Sequence, residues 1–166
     1  MEPTHTCFLL TGTNLGDRQS NLQKAIEELN RLTGRVVARS AVYETEPWGV
    51  TGQDDYLNQA LKLETVLSPH DLLCRLKIIE RRVGRKPGTH MKPRILDIDI
   101  LLYDDRIISS PKLRLPHPQL LRRNFAIIPL AEIAGHVLHP IRGCAIAKLV
   151  SQTGDDLAVR KLVMHP

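Results

Sequence analysis

The chain has 166 residues, 42% hydrophobic and 25% charged, with a net charge of +5. That length suits one domain burying roughly 70% of its unfolded surface, and no apolar run approaches the ~20 residues of a membrane helix. Cys7, Cys74 and Cys144 lie far apart in no C-x-x-C spacing, which argues against a disulfide framework or a zinc site.

Together with an N-terminus that lacks a basic segment before a long apolar stretch, this predicts a cytoplasmic protein with no membrane association. The positive charge predicts an anionic partner.

In chain order, "HTCFLLTG" stopped by Gly12 reads as a first strand. From Asp17 to Leu32, Leu22, Ala25, Ile26, Leu29 and Leu32 recur at helical spacing. "RVVARSAVYET" is β-branched and aromatic and predicts one continuous second strand. "EPWGVTGQDD" follows as a loop of functional length, and "YLNQALKLETVL" as a third strand. Ser68 as N-cap, Pro69 in the first turn and Asp71 near the positive end open a second helix. Its apolar face is Leu72, Leu73, Leu76, Ile79 and Val83, and Gly84 stops it. "RKPGTHMKP" is a basic loop and "RILDIDILLY" a fourth strand. The order βαββαβ predicts a single α+β domain with a ferredoxin-like core, helices packed on an antiparallel sheet. A short strand near Ile107, a Pro-rich loop at 111–118, helices near 126–134 and 145–151, and a strand at 159–164 complete the prediction.

The fourth strand poses a problem, because Asp is poorly suited to strands and an unpaired buried carboxylate costs several kcal/mol. Asp97 and Asp99 share one strand face while Leu96, Ile98 and Ile100 share the other. At ~3.3 Å per residue the carboxylates stand about 6 to 7 Å apart, a spacing that suits a divalent ion. Mg²⁺ favours one or two carboxylates completed by substrate phosphates. The alternative is a pair of aspartates facing solvent. The preceding residues favour the ion: Arg75, Lys77, Arg81, Arg82, Arg85, Lys86, Lys92 and Arg94 precede the aspartates, with Glu80 the only acid among them. Arg clamps and metal together neutralise charge in phosphoryl-type transfer. Most of the helical cations read as a solvated face, whereas Arg94 beside the carboxylate pair reads as functional. Neither a G-x-x-x-x-G-K-[ST] loop nor a G-x-G-x-x-G occurs, so any nucleotide is held without a glycine-rich cradle. "GTNLGD" reads as a tight turn, with Asn14 tying down loop backbone.

Five ordered segments carry a family resemblance: "LLTGTNLGDR", "SAVYETEPWG", "DYLNQAL", "PRILDIDILLY" and "LPHPQLLRRNFAIIPLAEIA". In these the chain resembles the 6-hydroxymethyl-7,8-dihydropterin pyrophosphokinases of folate biosynthesis. The resemblance implies Mg-dependent transfer of pyrophosphate from ATP to the pterin hydroxymethyl group, by in-line attack on the β-phosphorus with release of AMP. It implies that Asp97 and Asp99 hold two Mg²⁺ ions and that Arg85 and Arg94 contact phosphates from a mobile loop. It places Lys77, Glu80, Ile100, Lys112, His117, Pro118 and Arg123 on the ATP side. Tyr56 and Phe125 would stack on the pterin, with Thr45, Glu46, Trp48 and Asn58 around its rim. A departure stands at Met91-Lys92-Pro93-Arg94, where the family commonly has Trp-Gly-Pro-Arg. The alternatives are a catalytically weak pterin- or nucleotide-binding member and an RNA-binding ferredoxin-like module. The intact Asp97–Asp99 pair with Arg85 and Arg94 disfavours the first, and the lack of an RNP-like aromatic cluster disfavours the second. The expected partners are ATP and the pterin, with no nucleic acid and a monomeric state.

Overall fold

A computed structural model describes residues 2–47, 52–88 and 92–163. Trp48 and Met91 lie outside them. A six-stranded antiparallel sheet is built from β1 (His5–Thr13), β2 (Arg35–Arg39), β3 (Tyr43–Thr45), β4 (Tyr56–Thr65), β5 (Asp97–Tyr103) and β8 (Val159–Lys161). It runs β5-β1-β4-β3-β8, with β2 also paired to β4. A two-residue ribbon, β6 (Ile108–Ser109) with β7 (Arg114–Leu115), stands beside it.

The helices cover both faces. On one side lie α1 (Arg18–Leu32) and α2 (Pro69–Val83), and on the other α3 (Asn124–Ala134) and the short α4 (Ile146–Leu149). The division follows from strand alternation. Cys7 and Leu9 of β1 join Leu61, Leu63, Ile98 and Ile100 under α1 and α2, whereas Phe8 and Leu10 join Leu101 and Leu102 under α3 and α4. Each fully buried aliphatic side chain contributes about 1.5–3 kcal/mol.

The helix boundaries have local causes. Asp17 caps α1 by accepting the Ser20 N–H, and Ser68 caps α2 by accepting that of Asp71. Gly84 ends α2 at φ 127°, in the left-handed half of the map where a Cβ is disfavoured. Among the described residues no helix is long and apolar enough to cross a membrane, and the three cysteines are free.

The predicted continuous strand over 35–45 is two strands. The register shifts between Val36 and Ala38, and Ser40 then replaces a ladder bond with a side-chain one, its Oγ accepting the Ala60 N–H at 2.9 Å. Gln59 donates to the Ser40 carbonyl. Both halves still pair with β4, so the ferredoxin-like order is preserved.

Candidate active site

The site lies where α3 stops covering its sheet face. On that face the strands are apolar beneath α3 and α4, and beyond them the same rows continue as Gly12, Asn58, Asp97 and Asp99. These residues line a cavity of about 210 Å³ together with Thr45, Glu46, Gln53, Tyr56, Lys92, Arg94, Arg123 and Phe125. Gly12 is required by the close approach: a Cβ there would stand 2.7 Å from Asn58 Nδ2. The Asn58 amide instead crosses β1 and donates to the Thr11 carbonyl at 3.3 Å. That bond orients the side chain and leaves its Oδ1 buried without a hydrogen-bond partner among the described residues. A buried orphan acceptor on a cavity wall calls for a ligand donor.

Charge is concentrated at one end of the cavity. Asp97 Oδ1 lies 3.0 Å from Arg94 Nη1 and 3.1 Å from Arg85 Nη1. Burial pushes the Asp97 carboxyl up and Asp99 adds to that, while Arg94, Arg85 and Lys77 oppose it. Burial is the larger effect, so the Asp97 carboxyl lies above its ordinary value despite the cations beside it. Arg85 Nη1 also lies 2.8 Å from Glu80 Oε1. Glu80 is buried on α2, accepts the Ile98 N–H at 2.8 Å and meets Lys77 at 3.5 Å. Burial raises its pKa, against the Ile98 N–H and the two cations.

A second cleft of about 370 Å³ opens along the outer edge of β5, lined by Lys77, Asp99, Ile100, Lys112, Arg114, His117 and Pro118. It exists because of a bulge: Leu9 pairs with Ile100 and Phe8 with Leu102, so Leu101 is the extra residue. Its carbonyl accepts the His117 N–H at 3.0 Å and ties the Pro-rich loop to the strand. His117 Nδ1 accepts the Gln119 N–H, so the neutral ring carries its proton on Nε2. Burial pushes its pKa down, with Arg123 helping and Asp99 opposing. Ile98 N–H points outward to Glu80, and the two-residue period sends Ile100 N–H the same way, into this cleft.

Asp99 lines both clefts. Nine predicted residues, Thr45, Glu46, Tyr56, Asn58, Arg94, Asp97, Asp99, Arg123 and Phe125, surround the first. Lys77, Ile100, Lys112, His117 and Pro118 line the second. Glu80 lines neither; it stands with Arg85 in a smaller hollow beside them. Arg123 lies over the Phe125 ring, its Cζ 5.5 Å from the centroid, a cation–π contact that orients both. Trp48 falls outside the described residues. Lys92 of the basic run also lines the first cavity, and so does Gln53, which went unmarked in the sequence because a single polar loop residue carries no periodic signal.

Among the described residues no cluster of three or more His, Cys, Asp or Glu side chains could hold a metal ion. The available donors are the two carboxylates of β5, hard oxygen ligands on one strand face at the junction of two clefts. That set fits Mg²⁺ completed by substrate oxygens and does not fit a closed protein cage.

The model of the 7,8-dihydro-6-hydroxymethylpterin-pyrophosphokinase family matches residues 8–135. The chain belongs to that family. It is 45% identical over 136 residues to the 2-amino-4-hydroxy-6-hydroxymethyldihydropteridine pyrophosphokinase of Aquifex aeolicus, covering 82% of this chain and 84% of the relative. It is 45% identical over 128 residues to the protein of the same name from Methylorubrum extorquens, covering 76% and 81%. A mitochondrial folate synthesis bifunctional protein of Arabidopsis thaliana matches at 43% over 131 residues, but only 24% of that longer protein is covered. Among solved structures, Plasmodium falciparum HPPK-DHPS superimposes with a TM-score of 0.74 at 16% identity, over 91% of this chain and 46% of that one. That likeness shows the fold. The chain spans just under half of the solved protein's length.

The family match ends at residue 135, yet the sheet continues beyond it. The C-terminal β8 pairs with β3 and brings Arg160 to Glu44 at 3.1 Å and Asp55 at 2.9 Å, at the two ends of the loop that borders the pyrophosphokinase-family cavity.

Proposed function

We propose that this chain transfers the pyrophosphoryl group of ATP to the hydroxymethyl oxygen of 6-hydroxymethyl-7,8-dihydropterin. The hydroxymethyl oxygen forms a bond to the β-phosphorus, the bond from that phosphorus to the α,β-bridging oxygen breaks, AMP leaves with that oxygen, and the hydroxyl proton passes to solvent. The observation that carries this reading is Asp99, which lines both clefts. One is an amide-rimmed cavity with aromatic walls and the other a cationic groove, and the aspartate pair stands where they meet.

In the first cavity Tyr56 and Phe125 offer aromatic surface to a flat bicyclic ring. Asn58 Oδ1 accepts a ring N–H, and Thr45, with backbone around Glu46, completes the rim. Burial holds the Tyr56 hydroxyl above its ordinary pKa, so it remains neutral. In the second cleft Lys77, Lys112 and His117 Nε2–H face the nucleotide, and the outward N–H of Ile100 is available to its base. Arg85 and Arg94 converge on one carboxylate oxygen, and a polyphosphate entering between them offers guanidinium groups a better-matched, bidentate partner.

Asp97 and Asp99 would hold Mg²⁺, two ions, which would neutralise the phosphates and acidify the attacking hydroxyl. The protein's own contribution is to fix two substrates end to end, a positioning effect that removes several kcal/mol of the barrier. Among the described residues no side chain in the cavity is placed as a dedicated general base, and Arg123 adds positive charge to the same cavity as Asp99. Binding two small molecules requires no second subunit, and we propose a monomer.

The test follows AMP formation from ATP with and without the pterin, in Mg²⁺ and then in EDTA. AMP requiring both pterin and metal, and lost in Asp97→Ala, is the expected result. ADP as product would mean attack on the γ-phosphorus and overturn the reading.

A further inference from the structure

We infer that Asp155 is a positioning residue for the pterin cavity, which caps α3 from the C-terminal segment and so holds Phe125 and Arg123 in place. The inference rests on the function proposed above. A helix leaves its first N–H groups without partners of its own, and the N-cap side chain ordinarily supplies one. At the N-cap of α3 stands Arg123, extended at φ −128° and ψ 112°, with no side-chain cap bond. Its carbonyl accepts the Ala126 and Ile127 N–H groups at 3.1 Å, but its guanidinium is committed to the cavity, over the Phe125 ring. The capping position is therefore taken by a residue of the site. Asp155, in the segment between α4 and β8 and beyond the family match at 8–135, supplies the missing acceptor: its Oδ2 accepts the Asn124 N–H at 2.9 Å. That also sets a carboxylate at the positive end of the helix.

The grip on Asn124 is complete. Its Nδ2 donates to the Asp155 carbonyl at 3.0 Å, and its Oδ1 accepts the Thr153 hydroxyl at 2.6 Å. Thr153 Oγ1 in turn accepts the Asp155 N–H at 3.2 Å, and Asp155 Oδ1 accepts the Leu157 N–H at 3.0 Å. Asn124 is thus held through its backbone and both ends of its amide, between two residues that line the cavity. The first turn needs this help because of Pro129, which lies inside α3. Proline has no N–H, so the Phe125 carbonyl lacks the bond that would tie it to the next turn. The rest of α3 does not depend on the cap, since Ala126, Ile127, Leu130 and Ala134 are buried in the core beneath it. Losing Asp155 therefore frees the turn that carries Phe125 without freeing the helix. The same segment runs on into β8, where Val159 pairs with Thr45, another residue of the cavity.

The experiment compares the full wild-type chain with Asp155→Ala. The Kd of 6-hydroxymethyl-7,8-dihydropterin is measured at saturating Mg²⁺ and α,β-methylene-ATP, and the Kd of that nucleotide with Mg²⁺ is measured separately. Amide hydrogen exchange over 124–127 and over 130–134 is followed on the same samples. Asp155→Ala should weaken pterin binding about fivefold, the size of one lost cap, and speed exchange over 124–127. The nucleotide Kd and exchange over 130–134 should stay near wild type. Asp155→Asn keeps one oxygen for the Asn124 N–H and should recover most of the pterin affinity. If Asp155→Ala does not fold, Thr153→Ala removes the hydroxyl that orients Asn124 and Asp155 and should give the same selective loss. An unchanged pterin Kd would overturn the inference. So would an equal loss of pterin and nucleotide affinity with a lower Tm, which would make Asp155 merely structural. A wild-type chain that binds the nucleotide and no pterin would instead overturn the proposed function beneath it.

Discussion

Glu80 accepts the backbone N–H of Ile98 at 2.8 Å and so closes the open edge of the strand that carries both aspartates. Its other oxygen lies 2.8 Å from Arg85. One buried carboxylate therefore does two things: it satisfies an edge strand between Asp97 and Asp99, and it aims a guanidinium at Asp97. Both depend on α2 holding Glu80 on its buried face.

Glu80→Gln separates these two contributions. The amide retains an oxygen for Ile98 and loses the charge that holds Arg85, so turnover should fall by about tenfold or more with little change in pterin KM. Glu80→Ala also orphans the Ile98 N–H and leaves Arg85 with only Asp97 among the described residues, which should cost about 2–3 kcal/mol in urea denaturation. Equal stability of the two variants would mean that the edge bond contributes nothing.

Asn58 provides the test of pterin placement. Its Oδ1 is buried without a partner among the described residues, so a ligand N–H that reaches it pairs an acceptor that the protein itself leaves unpaired. Asn58→Ala should raise the pterin KM by roughly 30-fold, about 2 kcal/mol, and leave the ATP KM unchanged. Initial rates at saturating ATP measure it, and an unchanged pterin KM would put the ring's donor edge elsewhere.

The β3 wall of the cavity is fixed from α3. Glu132 accepts the Tyr43 hydroxyl at 2.6 Å and the Ala41 N–H at 2.7 Å. Burial pushes the Glu132 carboxyl up, but Tyr43, the Ala41 N–H and Lys161 outweigh it and hold it below the ordinary value of 4.5. A carboxylate with a depressed folded pKa binds protons more weakly folded than unfolded. Its contribution is therefore complete above the ordinary carboxylate range and is lost as pH falls through the folded pKa. Wild type should exceed Glu132→Gln by about 1–2 kcal/mol at pH 7, and the gap should narrow as pH falls below about 4.5. Urea midpoints across pH 3 to 7 give the curve; a gap independent of pH would remove the charge from the explanation.

Asp97 and Asp99 are legible in the sequence because a strand has a period of two and a buried carboxylate is costly, so their shared face and their need for positive charge can be read without coordinates. The caps Asp17 and Ser68 are legible for a similar reason, since each acts within its own helical turn. Ser40 is not: nothing in "RVVARSAVYET" shows that a hydroxyl will take the place of a ladder bond to Ala60. Glu80 reads as a charge on an amphipathic helix, and only the position of β5 shows that its partners are a strand N–H and Arg85. The bulge at Leu101, which lets the strand hold His117, is equally silent, because an extra residue in an apolar run alters no pattern.

Arg160 lies furthest from any sequence signal. It stands outside the segment matched by the family model and is largely exposed, yet it reaches Glu44 at 3.1 Å and Asp55 at 2.9 Å, either side of the segment between β3 and β4. Arg18 meets Glu44 from the other side at 3.1 Å and donates to the Asp55 carbonyl at 2.9 Å, so the root of the loop is held by two cations. Exposed ion pairs are weak and screened by salt, so Arg160→Ala should leave Tm almost unchanged. Its effect should appear where loop geometry matters, as an increase of about threefold in pterin KM. The same increase should appear in wild type as salt is raised, and the variant should show less of it. A variant with wild-type pterin KM at low salt would mean that Arg18 alone holds the loop.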